Sequence, residues 1–199
     1  MRKYFVAVLF CVLQIGLKTA ELPSVCPEIV SKRSWNASRP VGIDYLILPV
    51  KNIVIHHTDS KECLTKEDCA TLLQSIQNLH IGHMDFHDIG YNFLIGGDGR
   101  VYEGAGWHKV GAHTKGYNSR SLGIAFIGDY SSKLPSTNMI EAGKSLLKCG
   151  LEIGEIHLNY VAFGARKVGA TGNRPSGELK TWPNCSYLLC YLAYILMGH

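Results

Sequence analysis

The sequence predicts a single domain of the mixed α/β (α+β) class, in which a central mixed β-sheet is flanked by helices. Short apolar runs at residues 51–58 and 122–127 are typical of strands that are buried on both faces of a sheet. Two longer segments carry apolar residues at helical spacing, and a glycine-rich turn joins two short strands between them. A chain of 199 residues is long enough for one substantial core and too short for two comfortable domains.

The first 20 residues are typical of a signal peptide, which predicts a secreted, extracellular protein. Arg2 and Lys3 supply the positive start, and residues 4–17 form an apolar core shorter than the roughly 18 residues that a membrane span needs. Lys18 fits poorly before a cleavage point at Ala20, so the cleavage site stays open. The leader holds three of the 20 basic residues and no acidic residue, which leaves 17 basic against 16 acidic residues and a net charge of about +1 instead of +4. This balance gives no basis for binding nucleic acid or an anionic membrane.

Six of the seven cysteines lie outside the leader, and an even number in a secreted chain predicts disulfides. A bridge between Cys63 and Cys69 is geometrically easy across a short loop, but the sequence alone leaves the pairing of the six open. The triplets that begin at Asn36 and Asn184 are candidate glycosylation sites, which fits the same compartment.

The first elements of the predicted domain can be read in chain order. Residues 21–50 are expected to be an irregular segment packed on the domain and anchored by a tryptophan, Trp35, because prolines recur and no apolar period is sustained. Strand 51–58 then ends in His56 and His57, whose side chains must point to opposite faces. Thr65 is predicted to cap a helix that ends near residue 81.

The remaining elements complete the sheet and its second helix. Residues 91–95 and 100–102 are predicted to form a hairpin, followed by a glycine-rich loop of the kind that often forms binding surfaces. Strand 122–127, a helix over residues 137–151 and a last strand over residues 160–168 follow. The apolar C-terminal residues are too few to span a bilayer, so a buried helix or strand is expected there.

Several separated motifs together resemble the peptidoglycan recognition protein family. They are residues 54–58, the pair Cys63 and Cys69, and residues 88–96, 98–104, 111–114 and 123–128. The resemblance runs from about residue 26 to residue 168, and it is more specifically similar to the short secreted insect SA type, a sensor of Gram-positive bacteria upstream of the Toll pathway. It implies an amidase-like domain over residues 51–184, with a mixed sheet and three helices related to a bacteriophage zinc amidase (the lysozyme-amidase type).

The resemblance also implies a chemical test of catalysis. Active members hold zinc with two histidines and a cysteine, and the open fourth position carries the water that attacks the amide between muramic acid and L-alanine. His56 matches the first ligand, while Tyr91 and Thr171 match a tyrosine that assists catalysis and a threonine of the ligand loop. Ala165 and Asn173 stand where the other two ligands belong. We therefore expect no zinc cofactor and no amidase activity, with the three matching residues as vestiges.

Three further histidines, His80, His83 and His87, lie near helical spacing, which is a pattern that can bind zinc. Because the helix is predicted to end near residue 81, we interpret them as helix-end and loop residues that face solvent or a groove.

In ligand-binding relatives a muramyl peptide lies in a cleft above the sheet. Aromatic faces suit sugar and alkyl surfaces, and hydroxyl, imidazole and amide groups suit peptide bonds. The positions that match the contact residues of those relatives are His57, Thr58, His80, Asp85, Phe86, Tyr91, Ala105, His113 and Asn118. The resemblance thus implies bacterial peptidoglycan as the ligand and a co-receptor or serine-protease cascade as the protein partners.

Two positions predict which peptidoglycan is preferred. The third stem-peptide residue is either L-lysine or meso-diaminopimelate, which carries an extra carboxylate. Relatives that prefer diaminopimelate have a Gly-Trp pair where this chain has Asp85 and Phe86, and an arginine where it has Ala105. Losing the bidentate arginine removes the main attraction for that carboxylate, and Asp85 would repel it and attract a lysine ammonium. We therefore predict a lysine-type preference.

The end of the chain departs from the family pattern. The tail at residues 185–199 has no family counterpart, and divergence, altered splicing and a frameshift all remain open. The disulfides that the resemblance implies are Cys63–Cys69 and Cys26–Cys149, which leaves Cys185 and Cys190 for each other or for a partner chain.

Three functions compete at this stage. The leading one is a secreted, non-catalytic pattern-recognition receptor of innate immunity that binds lysine-type peptidoglycan. The second is a peptidoglycan-cleaving enzyme, either a zinc amidase with unusual ligands or a carboxypeptidase that uses a hydroxyl near Thr171 and Ser176. The third is a decoy whose groove binds neither type of peptidoglycan.

Overall fold

In a computed structural model, which describes residues 26–165, the chain forms a six-stranded mixed sheet with one α-helix against each face. The elements are β1 (Ile29–Val30), β2 (Val50–His57), α1 (Lys66–His83), β3 (Phe93–Ile95), β4 (Val101–Glu103), β5 (Ser121–Phe126), α2 (Thr137–Glu152) and β6 (Ile156–Gly164), with a 3₁₀ turn at Asn118–Arg120. The strand order is β1-β4-β3-β5-β2-β6. Only the β3–β4 hairpin is antiparallel among these pairs. The predicted fold class is therefore confirmed.

The central strands β2 and β5 form because their residues are apolar on both faces. Ile53, Val54 and Ile55 have no exposed surface, and all six residues of β5 are buried. Alternate side chains reach two different core clusters: Ile53 and Ile55 pack toward α2, whereas Ala125 of β5 packs toward α1. This two-sided burial explains why both strands were predictable from short apolar runs.

The first helix begins at the predicted cap, Thr65, and the second begins at a capping serine, Ser136. The Thr65 side chain accepts a hydrogen bond from the Asp68 N–H, and the Ser136 side chain accepts one from the Met139 N–H. Helix α1 runs two residues beyond the predicted end, to His83. In the described part of the chain no helix has the length and apolar character that crossing a membrane requires.

The last strand was predicted at residues 160–168, and this was wrong at its start. Strand β6 begins at Ile156, which pairs with Val50. The pairing register then shifts, so that Val161 is the next partner, opposite Asn52. The intervening residues bulge and leave Leu158 exposed, which hides the strand pattern from the sequence.

The N-terminal segment is fastened to the domain by side chains and a disulfide. Trp35 is fully buried, its Nε1 donates to the Glu103 carbonyl at 2.8 Å, and its own carbonyl accepts from Gln74 at 2.9 Å. The expected role of Trp35 as the anchor is thus confirmed. This segment also contains β1, a two-residue strand that the sequence did not predict.

The structure contains both disulfides that the resemblance implies for the described residues. Cys26 and Cys149 join the N-terminal segment to α2, and Cys63 and Cys69 close the loop before α1. The signal peptide and the predictions for residues 166–199, which include Thr171, Asn173, Ser176, Asn184, Cys185 and Cys190, lie outside the described residues.

Candidate functional site

A row of aromatic and imidazole rings lies over the face of the sheet that α1 covers. His56, near the end of β2, has ring centroids 5.3 Å from both Tyr91 and His113. Tyr91 continues the row to His80 of α1 at 5.8 Å, and His80 reaches Phe86 at 5.3 Å. The structure therefore brings four predicted binding residues together with His56 in one contiguous surface. Flat ring faces of this kind suit the apolar faces of a sugar.

His56 and His113 are joined through one hydroxyl. Thr114 Oγ1 lies 3.1 Å from His56 Nε2 and 3.1 Å from His113 Nδ1. A hydroxyl has one proton to donate, so one imidazole accepts that proton and the other donates its own N–H to Oγ1. The three side chains form a complete hydrogen-bonded chain that needs no charge.

Burial keeps these imidazoles neutral. It lowers the pKa of His56 well below the usual histidine value, and the neighbouring His113 and His57 lower this pKa further. Burial also lowers the pKa of His113, to about 4. A hydrogen bond with the Ser121 backbone raises this pKa but does not offset the effect of burial. The His113 Nε2 is sealed from solvent on the side of the ring that faces β5.

The other two polar rings of the row, His80 and Tyr91, are also buried enough to have shifted pKa values. His80 is buried, its Nδ1 accepts the Gly90 N–H at 2.9 Å, and burial lowers its pKa. His80 therefore positions the turn that precedes Tyr91. Burial, followed by the negative charge of Asp59, raises the pKa of Tyr91, so its hydroxyl remains a proton donor at neutral pH.

His57 and Thr58 belong to a neighbouring network at the end of β2. The His57 Nδ1 accepts the Tyr130 N–H at 3.0 Å and lies 3.5 Å from an Asp129 carboxylate oxygen. The Thr58 hydroxyl accepts the Gly128 N–H at 2.9 Å. Both residues thus fix the turn after β5, which leaves the His57 Nε2 as the ring nitrogen available to a ligand.

A pocket of about 250 Å³ opens beyond the Phe86 end of the ring row. Its walls come from the N-terminal segment, the turn after α1 and the glycine-rich loop. Four predicted positions line it together: Asp85, Phe86, Ala105 and Asn118. The remaining predicted positions lie in the ring row or in the His57 network. The nine predicted residues therefore fall into three adjoining parts.

Asn118 has a positioning role that the sequence did not predict. Its Oδ1 accepts the N–H of His113 at 3.0 Å and the N–H of Thr114 at 2.7 Å. This places His113 over β5 and leaves the Asn118 amide N–H groups as its remaining donors. Thr114 was also missed as a functional residue, although it ends the 111–114 motif. Asp44 lines the pocket from a segment that carried no signal of function.

The position that the resemblance assigns to a second zinc ligand holds an apolar residue, Ala165. Ile55 pairs with Gly164, so the register places Ala165 beside His56 at the ends of β2 and β6. The Ala165 methyl packs with a cluster that includes Tyr117 and Phe163. A methyl group cannot ligate a metal, so His56 has no partner ligand from this position.

The three histidines with near-helical spacing do not come together as a metal site in the part of the chain that the structure describes. Within residues 26–165, the one group of three potential ligands with atoms inside 4.8 Å is His57, Asp59 and Asp129. His80, His83 and His87 form no such group. His80 accepts the Gly90 N–H, and His87 Nδ1 lies 3.7 Å from an Asp44 oxygen.

Comparison with known proteins adds to this geometry. The family profile described as N-acetylmuramoyl-L-alanine amidase (Amidase_2) matches residues 47–175. Peptidoglycan-recognition protein 2 of Holotrichia diomphalia is 49% identical over 160 residues, covering 79% of this chain and 86% of that protein. Among solved structures, Drosophila peptidoglycan recognition protein SA aligns with a TM-score of 0.72 and 43% identity, covering 80% of this chain and 94% of the other.

A further solved structure shows a ligand. It is a complex of the ectodomains of peptidoglycan recognition proteins LCa and LCx with tracheal cytotoxin bound. The matched chain has a TM-score of 0.70 and 38% identity, and the alignment covers 78% of this chain and 96% of that one.

Proposed function

Because this chain belongs to the peptidoglycan-recognition protein family, we propose that it is a secreted receptor that binds lysine-type peptidoglycan without cleaving it. The observation that carries this proposal is the ring row of His113, His56, Tyr91, His80 and Phe86, which leads into the pocket. Such a surface offers aromatic faces for the sugar and a lined cavity for the stem peptide.

The residues at the expected zinc-ligand positions support a protein without catalytic activity. A catalytic zinc needs three protein ligands and one open position for water. Here Ala165 presents a methyl beside His56, and the sequence has Asn173 at the cysteine position. His56 is instead held by the Thr114 hydroxyl, which satisfies it without a metal.

The preference for lysine-type peptidoglycan rests on two pocket residues. Ala105 is almost fully buried in the pocket wall and offers no cation to a diaminopimelate carboxylate. Asp85 lines the same pocket and presents a carboxylate that would attract a lysine ammonium. Signalling toward the Toll pathway through a co-receptor or protease cascade completes the proposal, and it rests on the similarity to the SA type alone.

The test measures binding, metal content and cleavage in one preparation. We expect secreted, purified protein to bind soluble lysine-type muropeptide about tenfold more tightly than the diaminopimelate-type fragment, which corresponds to about 1.4 kcal/mol. We expect zinc far below one ion per chain and no new product by chromatography after prolonged incubation. Stoichiometric zinc with release of the stem peptide would establish the amidase instead, and loss of one terminal amino acid would establish the carboxypeptidase. Binding to neither fragment would identify a decoy.

A further inference from the structure

The N-terminal segment contributes a charged residue to the pocket. Gly42, Ile43 and Asp44 form one of its walls, facing the turn that carries Asp85. Asp44 lies outside residues 47–175, which the amidase family profile matches. Its place in the pocket therefore comes from the N-terminal segment and not from the part of the chain that the profile matches.

Backbone hydrogen bonds fix the position of Asp44. Its carbonyl accepts the Val110 N–H at 2.9 Å, and the Leu46 N–H donates to the His108 carbonyl at 2.8 Å. On the other side the Val41 N–H donates to the His87 carbonyl at 2.9 Å. The main chain of the segment is thus tied to two pocket walls, while the Asp44 side chain remains 72% exposed. A fixed backbone with an accessible carboxylate is suited to contact a ligand.

The His87 ring supports this arrangement from the neighbouring turn. It lies so close to the Gly42 backbone that a side-chain carbon at residue 42 would stand 2.8 Å from His87 Nδ1. The same nitrogen lies 3.7 Å from an Asp44 carboxylate oxygen. The ring therefore stands beside the Asp44 carboxylate, and both residues line the pocket.

The charges that line the pocket are unequal. Asp88 is already paired with Lys32 and accepts hydrogen bonds from Gln77 and from the Ile89 N–H. The other two carboxylates in the pocket lining, those of Asp44 and Asp85, have no lysine or arginine paired with them among residues 26–165. The lining contains one lysine, Lys109. Two aspartates against one lysine give these three side chains an excess of negative charge.

We infer that Asp44 is a second specificity-determining residue, which forms with Asp85 a subsite for the side-chain ammonium of the stem peptide. This inference rests on the proposed binding of peptidoglycan at the same groove. An ammonium in the pocket is attracted by two carboxylates that come from different chain segments. A diaminopimelate side chain brings its own carboxylate into the same field and is repelled by both.

The experiment compares Asp44→Asn, Asp85→Asn and the double variant with the natural chain. The probes are lysine-type muropeptide, the same fragment with an acetylated lysine amine, and diaminopimelate-type muropeptide. Glu141→Gln is the control, because it makes the same change in net charge on the exposed face of α2, outside the pocket. Titration calorimetry at low and high salt gives the affinities.

We expect Asp44→Asn to weaken lysine-type binding by about threefold and to strengthen diaminopimelate-type binding by about twofold, the size of a solvent-exposed ion pair. The double variant should change the ratio of lysine-type to diaminopimelate-type affinity further. The affinity for the acetylated fragment should be the same in all variants, and high salt should reduce the differences in affinity between variants. A ratio unchanged in Asp44→Asn, while the natural chain and Glu141→Gln bind normally, overturns the inference and leaves the proposed function standing. A natural chain that binds neither fragment overturns both.

Discussion

Replacing Gly123 by alanine tests whether the ring row depends on the close approach of His113 to the sheet. Gly123 lies in the middle of β5, and a side-chain carbon there would stand 2.4 Å from His113 Cγ and 2.5 Å from His113 Cδ2. Carbon atoms in contact prefer a separation of about 3.5–4.0 Å, so the ring must move by roughly 1 Å. That movement breaks the link from His113 through Thr114 to His56.

The expected loss of stability in Gly123→Ala comes from overpacking and from a lost hydrogen bond. Overpacking a buried site by one methyl group costs about 1–3 kcal/mol, and a lost hydrogen bond costs about 1 kcal/mol. We therefore expect Gly123→Ala to lower the free energy of unfolding by about 2 kcal/mol. Muropeptide affinity should fall by about tenfold, because the displaced ring no longer lines the groove.

Urea unfolding and titration calorimetry measure both quantities, and Gly82→Ala is the matched control. Gly82 lies in α1 with no atom within 4 Å of an added side-chain carbon, so its replacement should stabilise the helix by about 0.5 kcal/mol. In a His113→Ala background, Gly123→Ala should cost much less, because the clashing ring is gone. A Gly123→Ala variant as stable as the natural chain, with unchanged affinity, would refute the reasoning.

Three further predictions follow from the disulfides and the hydrogen bonds. The Cys26–Cys149 bridge closes a loop with a sequence separation of 123, so replacing both cysteines by serine should lower the free energy of unfolding by about 5 kcal/mol, measured by urea unfolding. His113 has a pKa lowered to about 4, so the unfolded chain binds a proton that the folded chain does not. The contribution of His113 to stability should therefore be complete above about pH 6.5 and fall by about 3 kcal/mol toward pH 4. In urea titrations across pH, His113→Gln should remove this contribution and leave those of His56 and His80. Asn118→Ala orphans two backbone N–H groups, at His113 and Thr114, and should cost about 1 kcal/mol, which Asn118→Asp should largely recover by keeping the acceptor.

The regular elements were predictable because burial on two faces leaves a plain mark on the sequence. Strands β2 and β5 are continuous apolar runs, and both helices begin at side chains that cap them. Strand β6 was placed too late, because its bulge interrupts the pattern and exposes Leu158. Local pattern thus predicts elements well where pairing is regular and poorly where the register shifts.

The residues of the site were predictable, but what each side chain does there was not. The resemblance named His113 and Asn118, yet only the structure shows that the Asn118 oxygen is used by two backbone N–H groups. Asp44 enters the pocket through hydrogen bonds to the loops around His87 and Val110, which are distant in the sequence. No local pattern encodes such a contact, because it depends on how the N-terminal segment crosses the finished domain.

The charge of the ring row follows from how His56 is hydrogen-bonded. A histidine that binds zinc must be neutral, and a buried histidine without zinc must also be neutral or bear the cost of a buried charge. Thr114 meets this need for His56, since a hydroxyl can donate to one ring and accept from another. The ring row consequently carries no positive charge at neutral pH. Any charge-based choice between ligands must then arise in the pocket, where Asp44 and Asp85 lie. Under the proposed function, the groove would have a neutral part for rings and alkyl surface and an acidic part that distinguishes stem peptides.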